Sequence, residues 1–201
     1  PADGTSLLST PDSLHFTAFA HRDAVSVWAS TSRRLYIIKV EGKRMACIPH
    51  PLTFQNHEDE ETRFLCPDDS GGFWVATSMG RILYGQPKDS VFQDFSDRFD
   101  TQGMTILNLL WRNHHLWLVS HNRFIHYDTQ RHSLQQYTSS DGNMSTPIFR
   151  DQAAFLSADG TLYAGGRGGF VSVTPPPSSA PKALSRAVML TDFKSGMRSM
   201  L

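Results

Sequence analysis

The chain has 201 residues, and its 19 basic and 19 acidic side chains leave no net charge at neutral pH. A surface balanced in this way gives no electrostatic reason to expect nucleic acid or a membrane surface as a partner. Hydrophobic residues make up 39% of the chain, enough for packed sheets, but no segment has the roughly 20 consecutive apolar residues of a membrane-spanning helix.

A strand–turn–strand pattern recurs along the chain. In its clearest copy, residues 72–77 alternate as a strand does, residues 78–80 form a turn and residues 82–84 lead back. Each copy has an aromatic anchor at the same place, and these anchors are Trp28, Trp74, Trp117 and Tyr163, in steps of 46, 43 and 46 residues. Strand-rich repeats of this length without a helix between them are typical of a β-propeller, in which each repeat forms one four-stranded blade.

The repeats predict four blades, at about residues 13–52, 62–100, 104–140 and 146–175. The first blade is expected to begin with a strand over residues 14–19 and a turn at His21-Arg22-Asp23, and the second to end with a strand over residues 91–95. The last blade ends early, because the prolines at 175–177 cannot donate to a strand ladder. The predicted class is all-β, a β-propeller fragment of about four blades of four-stranded antiparallel sheet.

Residues 1–177 are assigned to this partial propeller, and residues 178–201 to a linker followed by one new strand over residues 187–193. We interpret the chain as part of a longer protein, since it begins without Met and four repeats are few for a closed ring. An open arc of blades exposes two apolar sheet flanks, which favours self-association or contact with another propeller of the same chain.

The sequence shows no motif that indicates catalysis, a metal site or a cofactor. The charge run at residues 57–61 has no second histidine four residues after His57, so it lacks the spacing of a zinc-protease helix. Five of the nine histidines fall in the third blade, at positions 114, 115, 121, 126 and 132. We expect them to lie in different places rather than to converge on one ion. The sequence therefore predicts a non-enzymatic protein without metal or cofactor.

Arginine recurs in the turns that follow the anchor strands. The five candidates for ligand binding are Arg33, Arg34, Arg81, Arg123 and Arg167. Guanidinium groups pair bidentately with carboxylates and sulfates, so these turns would suit an acidic or sulfated oligosaccharide if they open at one end of the propeller. The alternative is that they are ordinary solvent-exposed arginines. Trp111 and His115, expected at the opposite end, are candidates for a stacking surface.

Two stretches resemble a known family. Residues 68–77, Asp-Asp-Ser-Gly-Gly-Phe-Trp-Val-Ala-Thr, are similar to the regulator-propeller repeat of bacterial hybrid two-component sensors. Residues 159–170, the proline run and residues 188–194 resemble the last propeller repeat of these sensors and the first strand of the Ig-like domain that follows it. The resemblance covers nearly the whole chain.

The resemblance implies a periplasmic sensor region of an inner-membrane protein, which detects a glycan fragment and signals to a histidine kinase. The chain would correspond to the C-terminal part of a propeller and the start of the Ig-like domain, and this segment would not contact the membrane. An oligosaccharide is the ligand that the resemblance implies. Two alternatives stay open: a propeller carbohydrate-active enzyme, either a lyase or a glycosidase, and a protein-interaction scaffold.

Overall fold

The structure is a computed structural model that describes residues 14–42, 44–55, 57, 59–138, 149–167, 169–175, 194–195 and 198–199. Within these ranges the secondary structure is almost entirely antiparallel β-sheet, which confirms the predicted all-β class. The chain divides into two compact units, residues 1–103 and residues 104–201. The strand predicted over residues 187–193 lies outside the described residues.

The first unit contains two sheets, each with four strands in sequential order. The strands of blade 1 are β1 (Ala18–Asp23), β2 (Ser26–Ser30), β3 (Arg34–Glu41) and β4 (Arg44–Thr53). The strands of blade 2 are β5 (Thr62–Pro67), β6 (Phe73–Thr77), β7 (Ile82–Gly85) and β8 (Gln93–Asp94), and they are followed by the single-turn helix α1 (Ser96–Phe99). The sequence predicted both sheets but not the helix.

The first strand begins and ends later than the sequence predicted. Residues 21–23 belong to β1 rather than to a turn, and the turn falls at residues 24–25. The reason is the side chain of Asp23, whose carboxylate accepts hydrogen bonds from the backbone N–H of Val25 at 3.0 Å and from the Ser26 hydroxyl at 2.7 Å. An aspartate that bonds the backbone two residues further on initiates a turn at its own position and not before it.

The outer strand of blade 2 is shorter than predicted, because its residues are divided between two sheets. Val91 forms a parallel bridge with Thr53, the last residue of β4, so it extends the outer edge of blade 1. Only Gln93 and Asp94 pair with β7. Phe95 donates one more backbone hydrogen bond to the carbonyl of Ile82 in β7, at 2.7 Å, and α1 begins at the next residue, Ser96.

The second unit contains a four-stranded sheet and a three-stranded sheet. The strands of blade 3 are β9 (Ile106–Arg112), β10 (His115–Ser120), β11 (Arg123–Asp128) and β12 (Ser133–Thr138). Blade 4 comprises β13 (Phe149–Leu156), β14 (Leu162–Gly166) and β15 (Gly169–Val173). A separate two-stranded ladder joins β16 (Lys194–Ser195) and β17 (Arg198–Ser199). Blade 4 therefore has three strands among the described residues, as the proline run predicts.

Each unit is held together by aromatic and aliphatic packing between its two blades. In the first unit, the ring of Trp28 contacts that of Phe73 edge-on at 4.7 Å between centroids. In the second unit, Phe124 and Phe149 are 4.6 Å apart, in the same cluster as the fully buried Trp117. Trp117 is fully buried and Trp28 is half-buried, whereas Tyr163, the anchor of blade 4, is 40% exposed. In the part of the chain that the structure describes, no helix is long and apolar enough to cross a membrane.

Candidate functional site

The turn between the first and second strands of a blade is built on an aspartate in three of the four blades. In blade 2, one carboxylate oxygen of Asp68 accepts hydrogen bonds from the backbone N–H groups of Ser70 and Gly72, both at 2.8 Å. A Cβ atom at Gly72 would lie 2.5 Å from the Tyr84 hydroxyl, so only glycine fits there. Asp23 in blade 1 and Asp159 in blade 4 make corresponding bonds. The aspartate–glycine motif of the repeat is thus a structural turn.

Blade 3 departs from this design at the same turn. Its two turn residues are Asn113 and His114, with φ angles of 48° and 68°. Positive φ at both central residues is the pattern of a type I′ hairpin turn, where glycine is the usual second residue. Few residues other than glycine adopt this region, and asparagine and histidine are among those enriched in it. Blade 3 therefore holds an exposed histidine in a left-handed conformation.

Four histidines lie at this end of blade 3, which we call the histidine end. They are His114, His115, His126 and His132, and Trp111 lies beside them. His126 pairs with Trp117 across the sheet and therefore faces His115 diagonally, with 3.0 Å between His126 Nε2 and His115 Nδ1. On the other side of the sheet, the Tyr127 hydroxyl lies 3.1 Å from His132 Nδ1.

The two facing imidazoles favour the neutral form. Burial, together with the charge that His115 would carry, lowers the pKa of His126 to about 4, although Gln135 and Asp128 act in the opposite direction. Burial also lowers the pKa of His115, again against the effect of Asp128. At neutral pH the pair is uncharged, so one nitrogen of each ring is a donor and the other an acceptor. His126 is buried and its Nε2 already faces His115 Nδ1, so the pair is held within the blade.

Buried polar atoms accumulate in blade 3. Asn108 Nδ2, Trp111 Nε1 and Trp117 Nε1 are buried and have no hydrogen-bond partner among the described residues. Buried donors are paired in most proteins, and an unpaired one calls for a specific explanation such as a water molecule or a ligand. Trp111 lies at the histidine end, with its ring centroid 6.3 Å from that of His114. Trp111 pairs with Leu116 and so lies on the face of the sheet opposite to His115, Trp117 and His126, and the imidazole in contact with its indole is that of the turn residue His114.

The five histidines of the third blade lie in strands and in different turns, and four of them approach the same end of the sheet. The hairpins β9–β10 and β11–β12 turn at the same end of the sheet, so residues far apart in the sequence come together there. Only His121 lies at the opposite end, in the turn between β10 and β11. Within the ranges that the structure describes, no three His, Cys, Asp or Glu side chains are close enough together to hold a metal ion.

Of the five predicted arginines, Arg81 is held by its own blade. Its guanidinium donates to Glu60 at 2.9 Å, to Asp94 at 2.8 Å and to the backbone carbonyl of Gln55 at 3.2 Å. The Glu60 side chain is fully buried. Burial acts to raise the pKa of Glu60, but hydrogen bonds from Thr77, from the backbone of His57 and from Arg81 together keep it below its usual range. A ligand anion at Arg81 would have to displace one of these carboxylates.

The other arginines have different surroundings. Arg123 begins β11, donates to Gln136 Oε1 at 2.9 Å and contacts the Met104 sulfur. Arg33, Arg34 and Arg167 are exposed. In the first unit, the backbone carbonyl of Arg33 accepts a bond from Phe54, and the next residue, Gln55, is the carbonyl partner of Arg81. The turns of blades 1 and 2 are thus linked through residues 54–55.

Solved structures with a similar fold were found at low sequence identity. Over 79% of the chain, it is similar to apo AztD from Citrobacter koseri, with 12% identity, 43% of that protein covered and a TM-score of 0.53. Over 90% of the chain, it is similar to the extracellular domain of a protein described as a hybrid two-component system from B. thetaiotaomicron, with 14% identity, 24% of that chain covered and a TM-score of 0.54. The fold is that of a β-propeller. No family model and no curated protein matches the chain.

A third similar structure is close to the chain in length. The computationally designed Ika4 protein is matched over 84% of this chain and 95% of its own, with 11% identity and a TM-score of 0.56. The chain spans less than half the length of AztD and of the two-component protein, but nearly all of Ika4. The structural similarity shows the propeller fold. Because the sequence identities are low, any ligand has to be inferred from the residues of this chain.

Proposed function

We propose that the chain is a ligand-sensing region of an extracytoplasmic hybrid two-component regulator, located in the periplasm and signalling to a histidine kinase. Its ligand in this proposal is an oligosaccharide, bound without turnover. Two independent features support a sensing role. The repeat motif at residues 68–77 resembles that of regulator propellers, and the fold is similar over 90% of the chain to the extracellular domain of a protein described as a hybrid two-component system.

The observation that carries the proposal is the histidine end of blade 3. Residues held in rarely populated backbone conformations cluster at functional sites, because a stable surrounding fold can tolerate their cost. His114 is such a residue, and it is exposed beside Trp111. An aromatic ring offers an apolar platform for a sugar face, and an imidazole offers polar nitrogen atoms to sugar hydroxyls. His114 and Trp111 would supply these two groups, whereas His115 and the buried His126 lie on the other face of the sheet.

The exposed arginines extend the proposal to acidic sugars. Arg33, Arg34 and Arg167 have the chemistry for a carboxylate or a sulfate, while Arg81 already binds two carboxylates. A neutral glycan would depend on the histidine end, and an acidic or sulfated one on the arginines as well. Signalling would follow if the ligand bound one arrangement of the receptor more tightly than the other, since only differential affinity shifts a conformational equilibrium.

The test is a calorimetric binding screen of the protein against neutral, acidic and sulfated oligosaccharides, with product analysis of each mixture. Saturable binding without cleavage, weakened at least tenfold by His114→Ala and unchanged by Met79→Ala, is the expected result. Met79 is an exposed turn residue of blade 2 and provides the matched control. Cleavage products would instead support the carbohydrate-active enzyme. Absence of binding to every oligosaccharide would overturn glycan sensing and favour the interaction scaffold.

A further inference from the structure

The two blade–blade interfaces within the chain follow one rule. We call the face of each sheet that carries the repeat anchor its anchor face, and the opposite face its back face. In the first unit, Trp28 on the anchor face of blade 1 packs against Phe73 on the back face of blade 2. In the second unit, Trp117 on the anchor face of blade 3 packs in one cluster with Leu162 and Ala164 on the back face of blade 4. Anchor face meets back face in both units.

Blade 1 leaves part of its back face exposed, although Ala29 and Ile38 on that face are buried. The cross-strand pairs of β1, β2 and β3 place Phe19 and Val27 on the side of the sheet opposite Trp28. The pairs of β3 and β4 place Val40 and Met45 on that side as well. All four are exposed hydrophobic residues, and Phe19 is the most accessible, with 59% of its surface exposed. In blade 2, the corresponding back face is covered by the anchor face of blade 1.

Blade 4 leaves its anchor face exposed. Phe155 pairs directly with Tyr163, and Phe170 lies in the adjacent strand with its ring 6.2 Å from that of Tyr163. Phe155 is 63% exposed and Tyr163, the anchor of this repeat, is 40% exposed. At the same repeat position, Trp117 is fully buried by the blade that follows it. In blade 3, the corresponding anchor face is covered by the back face of blade 4. The anchor face of blade 4 has no such cover among the described residues.

We propose that the anchor face of blade 4 binds the back face of blade 1 of a second copy of this chain. The two exposed faces are of opposite type, and faces of opposite type are the ones that this repeat buries against each other. A contact between two different patches is heterologous, so it either closes into a ring or continues as a filament. Two copies can cover both exposed faces of each chain with two such contacts, which makes the dimer the smallest closed assembly. A closed dimer is therefore the expected assembly.

The exposed apolar residues on these two faces also favour this assembly. Exposed aromatic residues such as Phe19, Phe155 and Phe170 are strong contributors to protein interfaces when a partner excludes water from them. Because the contact is heterologous, damage to either face of every copy disrupts both contacts of the dimer. Damage to different faces on two copies leaves one contact intact. This difference makes the proposal testable by mixing variants.

The experiment is sedimentation equilibrium of the chain and of two variants, Phe19→Ser and Phe155→Ser, each alone and in an equimolar mixture. The wild type is expected to form a dimer. Each variant alone is expected to dissociate about tenfold more easily or to be monomeric. The mixture is expected to recover a dimer held by one unmodified contact. Met79→Ser, at an exposed turn position, should dimerise like the wild type.

Several results would overturn the proposal. A wild-type monomer at tens of micromolar would mean that another partner covers these faces. If Phe19→Ser alone dimerised normally, the anchor face of blade 4 would bind its own copy and the contact would be isologous. A mixture that stayed monomeric would likewise contradict the heterologous contact. Far-ultraviolet circular dichroism of each variant distinguishes lost association from lost folding.

Discussion

Blades 2 and 3 use ionisable residues in opposite ways. In blade 2, the Arg81 guanidinium lies between the carboxylates of Glu60 and Asp94, so charges are neutralised inside the protein. In blade 3, His115 and His126 face each other in the uncharged form. The carboxylates of Glu60 and Asp94 hold Arg81 in blade 2, whereas the side chain of His114 in the turn of blade 3 is exposed.

Blades 2 and 3 thus show how a repeat protein can divide structural and binding roles between its repeats. A charge paired with opposite charges has little affinity left for a ligand, because displacement costs the interaction already made. The imidazole of His114, by contrast, is exposed beside the Trp111 indole. Chemistry suited to binding is therefore found where the repeat pattern is broken, at Asn113 and His114, and not where it is regular.

The largest expected effect concerns the core below the histidine end. Trp117→Ala should destabilise the protein by about 4 kcal/mol, because it removes a fully buried indole and leaves a cavity under His126, whose ring lies 4.5 Å from it. Chemical denaturation gives the unfolding free energy. Tyr163→Ala at the same repeat position should cost about 1 kcal/mol or less in the dissociated chain, since that ring is 40% exposed there. A cost that rises towards that of Trp117→Ala at higher protein concentration would show that Tyr163 is buried in the proposed dimer.

The next prediction concerns Arg81 and its two carboxylate partners in blade 2. Arg81→Met should cost about 3 kcal/mol, because it leaves the buried Glu60 carboxylate without its counter-charge. The double variant Arg81→Met/Glu60→Gln should recover most of that loss, since no buried charge remains. Arg33→Ala, at an exposed turn position, should change stability by no more than about 0.5 kcal/mol. If Arg81→Met were as mild as Arg33→Ala, the two carboxylates would not depend on the guanidinium.

The blade order and the anchor positions were predictable from the sequence, because a fixed repeat with alternating apolar residues specifies both. The surroundings of Arg81 were not predictable, since Glu60 and Asp94 come from segments on either side of the hairpin and no local pattern joins them. The contact between His115 and His126 could have been predicted from the sequence. A hairpin that turns at residues 121–122 places His126 opposite Trp117 and diagonal to His115, so the register alone brings the two imidazoles together.

Two predicted strand ends were wrong, because side-chain hydrogen bonds decide them and strand propensity does not include such bonds. Asp23 initiates its turn after itself, so β1 continues through His21 and Arg22. Asp94 accepts a hydrogen bond from the backbone N–H of Ser96 at 2.8 Å and thereby starts α1, which ends the strand that the apolar pattern favoured. In both places, one side-chain carboxylate outweighs the alternation of the neighbouring residues.

Acid should destabilise blade 3 before it protonates the carboxylates of blade 2. The pKa of His126 is about 4 in the folded protein against an ordinary value of 6.5, so the unfolded chain binds a proton first. Stability is complete above pH 6.5 and falls as the pH decreases towards 4, by about 2 kcal/mol at pH 5 and about 3 kcal/mol at pH 4. Denaturation curves at successive pH values measure this slope. His126→Leu should flatten it above pH 5, and an unchanged slope would mean that another group titrates.

The smallest effect separates stability from binding at the histidine end. His114→Gly should stabilise the protein by up to about 1 kcal/mol, because glycine adopts the positive φ of 68° without the steric cost that histidine has. Thermal unfolding measures the gain. Gln152→Gly, at a φ of 56° in blade 4, is the matched control and should give a similar gain without affecting oligosaccharide binding. A variant at position 114 that is more stable and binds less would mean that the histidine is kept for its ring, in a backbone conformation that favours glycine. Unchanged binding in His114→Gly would return this turn to ordinary structure and leave Trp111 and the His115–His126 pair as the remaining candidates for ligand contact.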